Sequence, residues 1–183
     1  MPQRRILFLD SLHLAAYRVG GGTMQPEGTF KPDAEGLESF GAYLTEHQGD
    51  IFMLLADIAE EGFQFEEVPR SSGRDRLAIV KRKLAQHFYG TPLTIALSQG
   101  RMPTGRRDER LLLMALTRPQ IFEPWFEILR ATETILAGVY SLPQVVQALV
   151  PKEAPAQLLL ITQTDGGLRQ TFFANRQLRF SRL

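Results

Sequence analysis

The sequence predicts a mixed α/β domain, with a central β-sheet flanked by helices, and three observations predict it. Hydrophobic residues make up 44% of the 183 positions and charged residues 22%, which is enough apolar material for a packed core. Apolar runs of strand length recur, at 6–9, 51–56 and 111–116. Stretches with helical spacing lie between them. The clearest is 75–88, where Leu77, Val80, Leu84 and Phe88 share one face and Arg76, Lys81, Arg82 and Lys83 fall largely on the other.

The elements follow in order. Residues 6–9 read as a buried strand and 12–19 as its hairpin partner, with Asp10 and Ser11 in the turn. Residues 20–32 read as a loop holding a short strand at 28–30. A helix follows over 35–47, with Asp33 as its N-cap and Leu37, Phe40, Tyr43 and Leu44 at helical spacing. Strands at 50–58 and 62–68 are joined near Glu60, Glu61 and Gly62. After the 75–88 helix, strands at 93–97 and 111–116 flank a polar stretch, 99–110. A short helix at 123–131 carries Trp125, Phe126 and Leu129. A strand at 135–140 precedes a helix at 143–150 that proline begins. Strands at 157–162, 168–173 and 177–180 close the chain as a meander, with turns at 165–167 and 175–176. This meander and the opening hairpin share a form: an apolar strand, a tight turn, then a strand of mixed polarity.

Composition excludes several classes. There are no cysteines, so structural disulfides and thiolate metal sites are ruled out. Two arginines precede only four apolar residues at the start, and no later apolar run approaches the length of a membrane span. The expectation is a cytoplasmic protein that meets membranes only through its partners. Net charge is +1 but unevenly spread. Residues 27–69 hold eleven acidic side chains against Lys31 alone, and residues 70–118 hold eleven basic ones against three acidic. Such polarity implies either two lobes that attract each other or two surfaces for different partners.

The echo between the two ends carries a family resemblance. The stretch 158–182, which ends in a turn and then Leu178-Arg-Phe-Ser-Arg182, resembles the second-subdomain meander of the actin-like ATPases, within the RNase H-fold superfamily. Phe8-Leu-Asp-Ser-Leu12 resembles the first meander, and Ala137-Gly-Val-Tyr-Ser-Leu-Pro143 the strand-to-helix junction before the second subdomain. Within the superfamily the ending is most similar to the branch of PilM, MshI and the GspL cytoplasmic domain. The resemblance implies a first subdomain over 1–151 and the opening of a second over 152–183, as in a truncated chain. It also implies a role in pilus or type II secretion assembly, among inner-membrane protein partners. Active members carry Asp-x-Gly in each opening turn, where backbone amides cradle phosphate. Here Leu12 stands where the first glycine belongs. The second acidic and glycine positions fall on Thr162 and Thr164, with Asp165-Gly166-Gly167 slightly late.

Two groups of residues are candidates for function. Asp10, Ser11, Asp165, Gly166 and Gly167 would be the phosphate-binding set; the plainer reading makes them ordinary turn residues, and that reading is preferred. Arg74, Lys81, Arg82, Arg101, Arg106, Arg107 and Arg110 form a candidate basic patch for an acidic partner or a phosphate backbone. His13, His47 and His87 lack partners at metal-ligand spacing, and no nucleophile elbow, P-loop or dinucleotide fingerprint occurs. The expectation is therefore a non-catalytic scaffold without metal or cofactor, able to form a homodimer through open sheet edges. Two alternatives stand beside it. One is an ATPase or phosphotransferase-like protein taking ATP and magnesium. The other is a nucleic-acid-binding module using 70–118, which the acidic segment disfavours.

Overall fold

In the computed structural model, which describes residues 2–102, 104–106 and 108–183, the opening strand β1 (Arg4–Leu9) lies at the middle of a five-stranded sheet. β2 (Leu14–Gly20) and β3 (Thr23–Phe30) continue antiparallel on one side of it. β4 (Ile51–Ala56) and β8 (Ile135–Ser141) run parallel on the other, giving the order β3-β2-β1-β4-β8. The opening element is thus a three-stranded meander, not the hairpin and loop expected for 12–32. Gly21 (φ 58°) and Gly22 (φ 76°) explain the difference: two consecutive left-handed residues close a tight hairpin, and Pro26 is tolerated because β3 is an edge.

One face of this sheet buries Leu7, Leu9, Leu14, Phe52 and Leu54 under α1 (Ala34–Glu46) and α3 (Glu123–Ala131). Phe40 and Tyr43 of α1 and Trp125 of α3 interlock there; the Phe40 and Trp125 rings meet edge to face at 5.4 Å. Asp33 caps α1 by accepting from the Gly36 amide at 2.8 Å, as expected. At the far end of β1, buried Arg5 bridges Glu27 and Asp50, and the Tyr43 hydroxyl donates to Glu27 at 2.6 Å. Burial alone would raise the Glu27 carboxyl. Tyr43 and Arg5 overcome that and hold it below its ordinary range.

Between β4 and β8 the chain inserts β5 (Glu61–Val68), α2 (Gly73–His87), β6 (Thr94–Arg101) and β7 (Glu109–Leu116). The strands form a separate sheet of order β5-β7-β6. So β4 and β5 are not sheet neighbours, although only four residues separate them. β7 lies between two strands, which explains its unbroken apolar run, buried at every position from Leu111 to Leu116. α4 (Leu142–Leu149) leads to a third sheet, β9 (Gln157–Thr164), β10 (Gly167–Ala174) and β11 (Gln177–Arg182), in the order β11-β10-β9. Leu112, Met114, Phe173 and Leu178 form a core joining this meander to the inserted sheet. Among the described residues, no helix is long and apolar enough to cross a membrane.

Candidate functional site

The turns of the two meanders face each other. Asp10 follows β1 directly, and Asp165 follows β9 in the same way. Asp165-Gly166 therefore occupies the corresponding turn, while Thr164 is the last residue of β9. Asp10 is 2% exposed, and its Oδ1 accepts from the amides of Leu12 at 2.7 Å and His13 at 2.8 Å. That is a side chain closing its own turn. His13 stands between the aspartates, with Nδ1 3.3 Å from Asp10 and Nε2 3.9 Å from the exposed Asp165. Ser11 is exposed. Gly166 packs so closely that a Cβ there would lie 3.0 Å from Asp10 Cβ. The two candidate turns pack against each other, and Asp10 Oδ2 is buried without a partner among the described residues.

Behind them lies a group that sequence reasoning missed. Arg169, on β10, is 1% exposed. Its Nε donates to Asp57 Oδ1 at 2.5 Å and its Nη1 to Glu61 Oε2 at 2.6 Å and Ser181 Oγ at 3.0 Å. Its Nη2 donates to the Ile58 carbonyl at 2.7 Å. Asp57 is fully buried and also accepts from the Thr164 hydroxyl at 2.7 Å. One guanidinium thus ties the end of β4, the start of β5 and two strands of the third sheet together. A lone arginine among polar strand residues gives no sequence signal of this kind. The alternation Leu168, Arg169, Gln170, Thr171 does place it on the face shared with Thr171, which is also buried.

Glu61 is the chemically unusual member. Its side chain is 3% exposed, and burial pushes its carboxyl up to about 7, although the Arg169 charge and hydrogen bond draw it back. Its second oxygen, Oε1, and the Ser141 hydroxyl lie close enough for Ser141 to draw the Glu61 carboxyl down a little, and among the described residues neither has another partner. Both residues line a cavity of about 310 Å³ whose walls include Leu93, Met114, Leu116 and Val139. An apolar hollow with a carboxyl and a hydroxyl side by side is suited to an apolar group tipped with a hydrogen-bonding atom.

The basic candidates lie on α2 and at the β6–β7 tip, and some of them are paired. Arg74, Lys81 and Arg82 are exposed on α2, and Arg101 and Arg106 are exposed at the β6–β7 tip. Arg101 instead lines a depression with Arg70, Arg76 and Glu109, and Glu109 is held by Arg76 at 2.8 and 2.9 Å. Arg110 is paired with Glu67 at 3.1 Å. Arg107 lies outside the described residues. Part of the charge polarity seen along the sequence is met inside the insertion, where Lys83 and His87 meet Glu66, and Arg118 meets Glu60. Among the described residues, no cluster of three potential metal ligands occurs.

The order β3-β2-β1-β4-β8, the crossing helix and the second meander opposite the first decide the architecture. The fold is that of the actin-like ATPases. A chain of the PilM-PilN type IV pilus biogenesis complex matches with TM-score 0.68 at 10% identity, over 98% of this chain and 60% of that one. The cytoplasmic domain of EpsL, an inner membrane component of the Vibrio cholerae type II secretion system, matches with TM-score 0.55 at 13% identity. There 96% of this chain and 69% of that one are covered. A Bacteroides thetaiotaomicron protein described as having an actin-like ATPase fold and unknown function matches with TM-score 0.51 at 6% identity, over 98% and 68%. No family model matches the chain, and no curated protein matches it. This chain is thus an actin-like fold spanning 60% of the pilus chain's length.

Proposed function

We propose that this actin-like chain is a non-catalytic scaffold of a pilus- or secretion-type assembly, which docks protein partners and does not turn over nucleotide. The observation that carries the reading is the close packing of the two meander turns on each other. Gly166 packs on Asp10, Asp10 spends its Oδ1 on its own turn, and Arg169 with Asp57 fills the region behind. A phosphate-binding turn instead leaves backbone amides free and open to the anion. In this reading residues 1–151 are a first subdomain with the β5–β7 insertion, and residues 152–183 open a second. The presence of a PilM–PilN complex and an EpsL domain among the structural neighbours supports an assembly role. The cavity at Glu61 and Ser141 is the docking point that best matches a partner side chain.

Calorimetric titration with ATP and magnesium tests the reading. The expected result is no binding heat at millimolar nucleotide. Micromolar binding that is lost on Asp10→Ala overturns it and makes the chain a nucleotide-binding protein.

A further inference from the structure

The helix α2 is amphipathic, yet its apolar side is only half covered. α1 buries Phe40, Tyr43 and Leu44, and α3 buries Trp125 and Leu129, but none of the 15 residues of α2 is buried. Val80, Leu84 and Phe88 pack on Val68, Leu111 and Leu113 and remain half-exposed. Leu77 is 65% exposed, and Tyr89, just past the helix, 92%. Between α2 and the start of β6 lies a hollow of about 390 Å³, walled by Leu77, Val80, Leu84, Phe88, Tyr89 and Thr94. A contiguous apolar surface of this kind marks a binding groove more often than an isolated exposed leucine does.

The apolar hollow adjoins a basic one. β6 turns Thr94, Ala96 and Ser98 to one face, and Ala96 packs against α2. Thr94 lies in the apolar hollow, whereas Ser98 lines the depression of about 310 Å³ that holds Arg70, Arg76, Arg101 and Glu109. The consecutive residues Leu77 and Arg76 make the same step along α2. Arg70 and Ser71 directly precede the helix, so its positive end adds to the field there, and Ser72 makes no side-chain cap bond. Among the described residues, the ion pairs of the insertion engage Arg76, Lys83, Arg110 and Arg118 but not Arg70, Arg74 or Arg101.

Glu109 shows which anion this depression accepts. Arg76 donates to it twice, at 2.8 and 2.9 Å, and those bonds hold its carboxyl below the ordinary range. Its charge also opposes a dianionic phosphate more strongly than a second single carboxylate. We propose that α2 and β6 form a docking groove for an acidic segment of a partner protein. Apolar side chains of that segment fill the hollow at Leu77, Leu84 and Tyr89, and its carboxylates sit on Arg70 and Arg101. Arg74 and Lys81, exposed on the same helix, draw the segment in. This surface presupposes the protein-docking reading and names the chemistry of one partner. From Thr94 to Ser98 the strand covers about 13 Å, so an extended segment needs its apolar and acidic anchors about four residues apart.

Fluorescence anisotropy on the whole chain tests the groove. The probe is a fluorescein-labelled peptide in which Leu-Phe and Asp-Glu are separated by about three serines, made in both directions. In about 50 mM salt, one direction binds with half-saturation near about 100 μM. Arg70→Glu combined with Arg101→Glu weakens binding by about tenfold, as does replacing Asp-Glu in the probe by Asn-Gln. Leu77→Ser, at an exposed position, weakens it by about threefold with an unchanged melt. Lys152→Glu, an exposed cation outside the insertion, leaves it unchanged. No binding of either peptide at about 1 mM overturns the proposal. Binding that survives both the arginine reversals and Leu77→Ser overturns it as well. The titration with ATP and magnesium is separate: nucleotide binding lost on Asp10→Ala sinks the scaffold reading, whereas a silent peptide with no nucleotide heat sinks the groove alone.

Discussion

Arg169 Nε stands 2.5 Å from Asp57 Oδ1, and the two residues are 112 apart in sequence and essentially without solvent exposure. Asp57 also donates its amide to the Leu9 carbonyl at 2.8 Å, so the pair anchors the third sheet to the ends of both β1 and β4. Buried ion pairs contribute little net stability against an apolar replacement, but breaking one strands a buried charge.

That asymmetry makes the first prediction. Arg169→Met leaves Asp57 and Glu61 without their cation and costs about 3–5 kcal/mol in denaturant unfolding. Asp57→Leu combined with Arg169→Met recovers part of the loss, because no charge then remains unpaired except Glu61, which burial already favours as the neutral acid. Hydrogen exchange in 157–182 rises in the single variant. An additive double variant would show that the pair is not coupled.

Glu61 sets the pH dependence. Its folded carboxyl titrates near 7, above the ordinary carboxylate range, so the folded state holds a proton that the unfolded state releases. Its contribution is therefore full below the unfolded value, about 4.3, and is lost as pH rises towards and through 7. Glu61→Gln keeps an acceptor for Arg169 and never ionises. It should match wild type near pH 3 and exceed it at pH 8 by up to about 3 kcal/mol, measured by urea midpoints at both pH values. Equal pH profiles for the two proteins would refute the assignment.

The sequence revealed the elements better than their assembly. The helices 34–46 and 73–87 and the strands at 51–56 and 109–116 were legible because spacing and burial coincide along one stretch of chain. β3 was hidden because Pro26 and Gly28 read as loop residues, while the Gly21-Gly22 turn that makes it a strand acts at a distance of several residues. The separation of β4 from β5 was illegible for another reason. Residues 57–60 look like a connection within one sheet, yet Asp57 and Ile58 are fully buried at a junction between sheets. The Arg169 cluster is formed by residues more than 100 positions apart, and no local pattern reports such a meeting.

The second ionic cluster should behave differently from the first. Glu27 and Asp50 remain partly solvated, with side chains 19% and 16% exposed, whereas Arg5 is 4% exposed. Water can therefore take up part of what Arg5→Leu removes, and the expected cost is about 1–3 kcal/mol, less than for Arg169→Met. Tyr43→Phe, which removes the hydroxyl bond to Glu27 but keeps the ring against Phe30 and Phe52, should cost about 1 kcal/mol. Thermal melts of the three variants rank the effects; a larger loss for Arg5→Leu than for Arg169→Met would reverse the argument.

Nucleic-acid binding through 70–118 makes a separate, salt-dependent prediction. Arg76, Lys83, Arg110 and Arg118 are already engaged by Glu109, Glu66, Glu67 and Glu60, so contact with phosphates would have to compete with pairs in place. The exposed cations Arg74, Lys81 and Arg82 sit on α2, and Arg101 and Arg106 on the β6–β7 tip, with Glu67 and Glu109 within the same insertion. Phosphate contacts lower affinity by roughly one power of salt concentration for each phosphate neutralised. The expected result with a short duplex is weak binding whose salt slope reports no more than about two phosphates. It should change little on charge reversal at Arg106. A slope of six or more, abolished by Arg106→Glu, would make the insertion a nucleic-acid surface and displace the protein-docking reading.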